Sequence, residues 1–202
     1  MDYFKTLAAS ADAEFKDRGS RFLAYAFPVK DVADFKSQIQ DIKKDHPKAV
    51  HHCFAYRIGF KDDLFRVSDD GEPSGSAGRP ILGQIDSKGL TNVAVVVVRY
   101  FGGTLLGVPG LINAYKTVTS LALQVAPVVE KAVEVLVRIS CTYQDINEVM
   151  MVIKANNGTL VKNEQSLFCN LEATIPKNRS EQAIQQLEKL YQVEAKLVEM
   201  PV

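Results

Sequence analysis

The order of hydrophobic periods in the last third of the chain restricts its fold more than any other feature. Residues 133–142 (VEVLVRISCT) alternate apolar and polar positions around β-branched side chains, the period-two pattern of a half-buried strand. The period then lengthens: Ile146, Val149, Met150 and Ile153 fall at i, i+3, i+4 and i+7 and mark one helical stripe. Asp145 stands where a helix cap is expected, and Asn156-Asn157-Gly158 supplies a C-terminal stop. Two further strand-like runs, residues 159–163 and 167–175, are parted by a short polar turn. A second helix is expected over about residues 179–191, with Ser180 as cap and Ile184, Leu187, Leu190 and Tyr191 on its apolar side. Residues 193–200 alternate again.

That β-α-β-β-α-β order is the split βαβ pattern of ferredoxin-like domains. The expectation is an α+β chain with one such domain over residues 131–202. Ahead of it, residues 21–29 (RFLAYAFPV) read as a strand. Val32, Phe35, Ile39 and Ile42 mark an amphipathic helix that begins after Asp31 and ends before His46-Pro47. Residues 52–58 and 64–67 read as a hairpin around the polar tip Lys61-Asp62-Asp63. After a Gly/Ser/Asp-rich loop a short helix is expected at about residues 80–85. Residues 92–100 are almost continuously apolar, as in a strand buried on both faces. A glycine-rich loop then leads into a long helix, about residues 110–125, with Leu111, Ala114, Tyr115, Val118, Leu121 and Ala122 on one side. Residues 126–131, with Pro127, are the expected linker, which makes residues 1–130 a first domain.

Charge narrows the function classes. Lys+Arg and Asp+Glu both number 24, whereas proteins that coat nucleic-acid phosphates carry a basic excess. RNA contact would therefore need a local patch. Residues 1–131 carry 17 basic and 15 acidic side chains, and residues 132–202 carry 7 and 9. The mildly acidic second part is a poor platform for RNA. Cys53, Cys141 and Cys169 are far apart, which suggests neither a disulfide framework nor a zinc knuckle. The opening MDYFKTLAAS lacks the pattern of a signal peptide, and the longest aliphatic run, residues 93–98, is far short of a membrane span. A reduced, cytoplasmic setting with no membrane partner is expected.

Two clusters could carry chemistry. In residues 68–80 (SDDGEPSGSAGRP), Asp69, Asp70 and Glu72 could hold Mg²⁺ through oxygen ligands or receive basic groups of a partner. Ser74 and Ser76 offer hydroxyls, and Ser76-Ala77-Gly78, before Arg79, could open a helix whose free N–H groups meet an anion. The plainer reading is a loop whose polar side chains bond their own backbone. In residues 99–110 (RYFGGTLLGVPG), Arg99, Tyr100, Gly102, Gly103 and Gly107 lie between a buried strand and a helix, a place that cradles phosphate in other folds. Neither GxxxxGK[ST] nor GxGxxG is present, so no cofactor is assigned; the glycines could simply permit a tight turn. His51 and Cys53 face one side of their strand and His52 the other, which favours a buried cysteine over a metal trio.

At these clusters the chain resembles the IMPACT/YigZ family. The run GRPILGQI…LTNVAVVVVRYFGGTLLG looks like that family's signature, and residues 18–22, HHCFAYRIG and SDDGEPSGSAGRP resemble its other blocks in the same order. The resemblance covers most of residues 15–125. It implies a first domain like domain 2 of ribosomal protein S5 and domain IV of elongation factor G. It also implies a small ferredoxin-like second domain. Eukaryotic relatives are translation regulators that bind the activator of a stress-responsive kinase. Many bacterial members carry a lysine where this chain has Leu105 and a basic residue where it has Asn113. By motif match, Asp69, Asp70, Glu72, Ser74, Ser76, Gly78, Arg79, Arg99, Tyr100, Gly102, Gly103 and Gly107 occupy signature positions.

The leading expectation is a non-catalytic, translation-associated regulator that binds the ribosome, RNA or a translation protein through both loops, near Arg57, Arg66, Arg79 and Arg99. The alternatives are a Mg²⁺-dependent hydrolase or phosphotransferase using Asp69, Asp70 and Glu72, and a protein–protein adaptor. Oligomeric state stays open.

Overall fold

Val93–Tyr100 has seven buried residues in succession, because helices cover both faces of the sheet in which it is the central strand. A computed structural model describes residues 2–59, 64–165 and 169–198. The elements preceding this strand are β1 (Tyr3–Leu7), β2 (Ala11–Asp17), β3 (Ser20–Pro28), α1 (Val32–Asp45), β4 (His51–Ile58), β5 (Leu64–Ser68) and α2 (Gly78–Ser87). Val93–Tyr100 is β6, followed by α3 (Gly107–Val125) and β7 (Val128–Ala132). β2-β3-β6-β4-β5 form a five-stranded sheet in that spatial order, antiparallel at every pairing.

Alternation splits this sheet between two cores. Phe22, Ala24, Ala26, Cys53, Ala55, Val93, Val95 and Val97 meet Ile81 and Ile85 of α2 and Leu111, Tyr115 and Val118 of α3. The intervening residues, among them Phe27, Tyr56, Val96 and Val98, pack with Phe35 and Ile39 of α1. Asp31 caps α1 by accepting from the Asp34 N–H at 2.8 Å, and α1 ends at His46 beside Pro47.

The remaining elements are β8 (Glu134–Cys141), α4 (Ile146–Ala155), β9 (Thr159–Gln165), β10 (Cys169–Pro176), α5 (Lys177–Leu187) and β11 (Glu194–Val198). Their sheet has the order β11-β8-β10-β9, and Val137, Ile139, Leu171, Ala173 and Ile175 bury against Val149, Ile153, Ala183 and Leu187. The chain clusters into two compact units, Phe4–Lys131 and the remainder. Among the described residues no helix is long and apolar enough to cross a membrane.

Several expectations need amending. β1 and β2 were not legible, and within the expected linker Val128–Ala132 instead pairs with β1 in a two-stranded sheet. Ser180 does not cap α5; it lies inside the helix and its hydroxyl donates to the Lys177 carbonyl at 2.9 Å. Tyr191 is 80% exposed, because α5 ends at Leu187 and leaves it outside the apolar stripe. Asp145 precedes α4 as expected, yet its carboxylate accepts from the Thr142 hydroxyl at 2.5 Å rather than from the helix. The tip Lys61-Asp62-Asp63 lies outside the described residues.

Candidate functional site

The two signature loops meet at one end of the five-stranded sheet. Period-two alternation puts Arg99 on the α2/α3 side of β6, where its register neighbours are Phe22 on β3 and His51 on β4. Glu72 enters from the loop after β5, and Tyr115 from the third turn of α3. Glu72 Oε1 accepts from Arg99 Nη1 at 2.7 Å and from the Tyr115 hydroxyl at 2.7 Å. The two charged side chains are only 6% and 3% exposed. At this depth an ion pair survives only with good geometry and further hydrogen bonds, and the Tyr115 hydroxyl supplies one.

The network extends on both sides. Arg99 Nη2 lies 3.4 Å from Ser20 Oγ, which also accepts from the Gly102 N–H at 3.2 Å. The guanidinium lies 5.4 Å from the Phe22 ring centroid and 5.6 Å from that of Phe101, within cation–π range of both rings. Cys53 Sγ lies 3.3 Å from the Tyr115 hydroxyl and 3.0 Å from the Asp69 carbonyl oxygen. Burial raises both the Cys53 thiol and the Tyr115 phenol well above their ordinary values, so both stay protonated and act as donors. His51 Nδ1 lies 2.7 Å from the Asp70 carbonyl oxygen, which can only accept, so that nitrogen carries the proton. His51 Nε2 is left facing Glu72 Oε1 at 3.8 Å.

The three loop carboxylates diverge. Asp69 Oδ1 accepts from the N–H groups of Ala77 (3.0 Å) and Gly78 (2.8 Å), and its Oδ2 from Gly75 N–H (2.8 Å). Burial opposes its charge, but the donors of Gly75, Gly78 and Ala77 outweigh that and hold its pKa below the usual carboxylate value. The anion at the start of α2 is thus supplied by the chain itself, contrary to the expectation of free N–H groups awaiting a ligand. Asp70 Oδ2 accepts from the His52 N–H at 2.6 Å and fastens the loop to β4. Glu72 turns inward. Among the described residues no group of three His, Cys, Asp or Glu side chains is placed to hold a metal ion.

The other residues singled out in the sequence take distinct places. Ser76 is buried and its hydroxyl donates to the Pro73 carbonyl at 2.6 Å, whereas Ser74 and Arg79 are exposed. Gly78 packs so closely on β5 that an added Cβ would lie 2.8 Å from Ser68 N. Gly102 allows no side chain at all: its Cβ would fall 1.9 Å from the carbonyl carbon of Gly19, at the tip of the β2–β3 hairpin. Gly103 and Gly107 adopt φ of 87° and 70°, the left-handed region that glycine enters without strain. Tyr100 points to the α1 side, where its hydroxyl meets His46 Nδ1 at 2.9 Å and the Tyr25 hydroxyl meets His46 Nε2 at 2.7 Å. Arg57 pairs with Asp86 at 2.8 Å, and Arg66 is exposed on β5. Arg99, expected as a contact for a partner, is instead committed to the interior.

Sequence reasoning missed Ser20, His51 and Tyr115 as members of this cluster. One signal was available: a tyrosine inside an aliphatic helix stripe needs a partner for its hydroxyl. The exposed residues of the two loops include Phe101 (47% exposed), which lies against Arg99, and Leu105 (82% exposed), Gly103, Thr104 and Arg79.

Fold and site together define a two-unit α+β protein whose first unit folds two glycine-rich loops around a buried Glu–Arg–Tyr cluster. Comparison with known proteins agrees. The model of the Impact N-terminal domain matches residues 18–123. The chain is 32% identical over 159 residues to the IMPACT family member YigZ of Escherichia coli, covering 78% of each chain. It is 39% identical over 141 residues to YvyE of Bacillus subtilis, covering 70% of this chain and 64% of that one. Human Protein IMPACT is 39% identical over 97 residues, which span 29% of its length. A crystal structure of a hypothetical protein superposes with a TM-score of 0.82 at 26% identity over the whole of both chains. This chain belongs to the IMPACT family.

Proposed function

We propose that the protein is a translation-associated binding factor that contacts ribosomal RNA or a translation protein through the surface formed by residues 68–80 and 99–110. The observation that carries this reading is the fate of the polar groups. Asp69 is taken up by backbone N–H groups of its own loop, and Glu72 bonds Arg99 and Tyr115, so these charges fix both loops, a use of charge that builds a rigid surface rather than a reaction centre. A Mg²⁺-dependent hydrolase has no support in this geometry, because the carboxylates it needs point apart. The family resemblance implies a first unit like domain 2 of ribosomal protein S5, and that expectation supports an RNA-facing role. The strand order of the second unit supports a ferredoxin-like domain.

Exposure makes Arg79 the loop cation that can meet a partner. Arg79→Glu is expected to abolish salt-sensitive co-sedimentation with ribosomal particles while leaving the melting temperature within a few degrees of the parent. Equal co-sedimentation of parent and variant at every salt concentration would refute the proposed surface. Migration of the parent at the top of every gradient would refute ribosome binding itself.

A further inference from the structure

Two cysteines that are distant in the sequence stand side by side in the second unit. Cys141 is the last residue of β8 and Cys169 the first of β10, and the antiparallel register sets them directly opposite each other. Directly opposed residues of an antiparallel pair have Cα atoms about 4.5–5.5 Å apart, inside the ~4.4–6.8 Å that a disulfide spans. Alternation turns both side chains to the same face, into the core that holds Val149, Ile153 and Leu171. Both are free thiols, 1% and 0% exposed. Backbone distance is therefore no obstacle to joining them.

Access comes from their place in the sheet. Burial holds the Cys141 thiol protonated, with its pKa pushed up to about 11, so the closed sheet offers no ready thiolate there. The two cysteines form the terminal rung of the β8–β10 ladder, and β11 pairs with β8 only as far as Ser140. The ends of a ladder open locally at a lower free energy than its middle. Cys53 differs on every count. It lies in the first unit, its register neighbour is Val97, and its Sγ is bonded to the Tyr115 hydroxyl and the Asp69 carbonyl.

We propose that Cys141 and Cys169 are a modification site, joined by a reversible cross-strand disulfide when the protein meets hydrogen peroxide. Opening of the terminal rung lets one thiol lose its proton and attack the peroxide. An S–O bond forms, the O–O bond breaks, and the hydroxide that leaves recovers the proton as water. The second sulfur then attacks the resulting sulfenic acid. The S–S bond forms, the S–O bond breaks, and the departing hydroxide takes up the second thiol's proton. Two thiols thus give up two protons and two electrons, and the peroxide becomes two waters. The bond staples the end of the second sheet, and it does not depend on the function proposed for the loops.

The test treats the whole chain with hydrogen peroxide at neutral pH without denaturant, then measures intact mass, free thiols after denaturation, and a peptide map. The expected result is the loss of two hydrogen atoms and a fall from three free thiols to one. The map should show one crosslink, between β8 and β10, that dithiothreitol reverses. Cys53→Ser should leave that crosslink in place; Cys169→Ser should abolish it, Cys141 then gaining oxygen instead. The oxidised chain should unfold its second unit at a higher urea concentration than the reduced chain, with slower amide exchange at the ends of β8 and β10. Should a serine variant fail to fold, the map of the parent alone decides. Thiols that survive, a link to Cys53, a link between two molecules, or a crosslink that forms only above the unfolding midpoint would overturn the proposal. A native crosslink that leaves stability and exchange unchanged would keep the modification and overturn the staple.

Discussion

Removing Glu72 should destabilise the first unit more than any other single loop substitution. In Glu72→Ala the Arg99 guanidinium, 5% exposed, loses its counter-charge and keeps, as a hydrogen-bond partner, only Ser20 Oγ at 3.4 Å. Its Nε already has no hydrogen-bond partner among the described residues. The Tyr115 hydroxyl, 2.7 Å from the lost oxygen, is stranded as well. Leaving one member of a buried ion pair uncompensated costs about 3–5 kcal/mol, a large part of the ~5–15 kcal/mol that holds a domain together. With a urea dependence of about 2 kcal/mol per molar, the unfolding midpoint should fall by about 2 M. Arg99→Ala should behave alike, because it strands the Glu72 carboxylate. The double replacement Glu72→Leu with Arg99→Met should cost under about 2 kcal/mol, since no charge is left to compensate. Urea titration by far-UV circular dichroism measures these costs, and amide hydrogen exchange in β6 and α3 assigns the transition to this unit. If the double variant costs the sum of the two single ones, the pair is not coupled and the reasoning fails.

Asp69→Asn should lower stability by about 2 kcal/mol at neutral pH, by removing the charged acceptor of three backbone N–H groups. Because the folded-state pKa of Asp69 is depressed, its contribution is complete above the ordinary carboxylate value of about 4. It is lost as pH falls through the folded value, so the melting temperatures of parent and variant should converge in acid; a constant gap would contradict this. Two glycines make a matched pair: Gly102→Ala should cost about 3 kcal/mol by forcing the hairpin tip away. Gly83→Ala, in the interior of α2 with open space around it, should instead stabilise by about 0.5–1 kcal/mol, both read from urea midpoints.

The elements that the sequence revealed share one property: their burial is continuous along a face. β6 is apolar on both sides, and the helix stripes of α1, α3 and α4 each hold several large side chains. β2 was invisible because it shows only Ala11, Ala13 and Phe15 on its inner face, and pairing with β3 rather than its own composition makes it a strand. β7 was read as linker because its five residues gain their order from β1, more than a hundred positions earlier. In the site, residue types were legible and directions were not. Asp69, Asp70 and Glu72 stand within four positions, yet backbone N–H groups, a strand amide and a buried guanidinium draw them three different ways. Arg99 looked like a surface contact because nothing local shows that Glu72, 27 positions away, will neutralise it.

The placement of β6 has a kinetic consequence. β3 and β4 both pair with β6 and not with each other, although both are synthesised long before it. Until residues 93–100 leave the ribosome, each carries an open edge of unpaired N–H and C=O groups beside apolar side chains. Closing the sheet then requires joining segments about seventy positions apart, a non-local step that slows folding. The nascent chain should therefore expose first one sticky strand and then, from β4 until β6 emerges, two, the interval in which a chaperone that covers strand edges would raise its yield most.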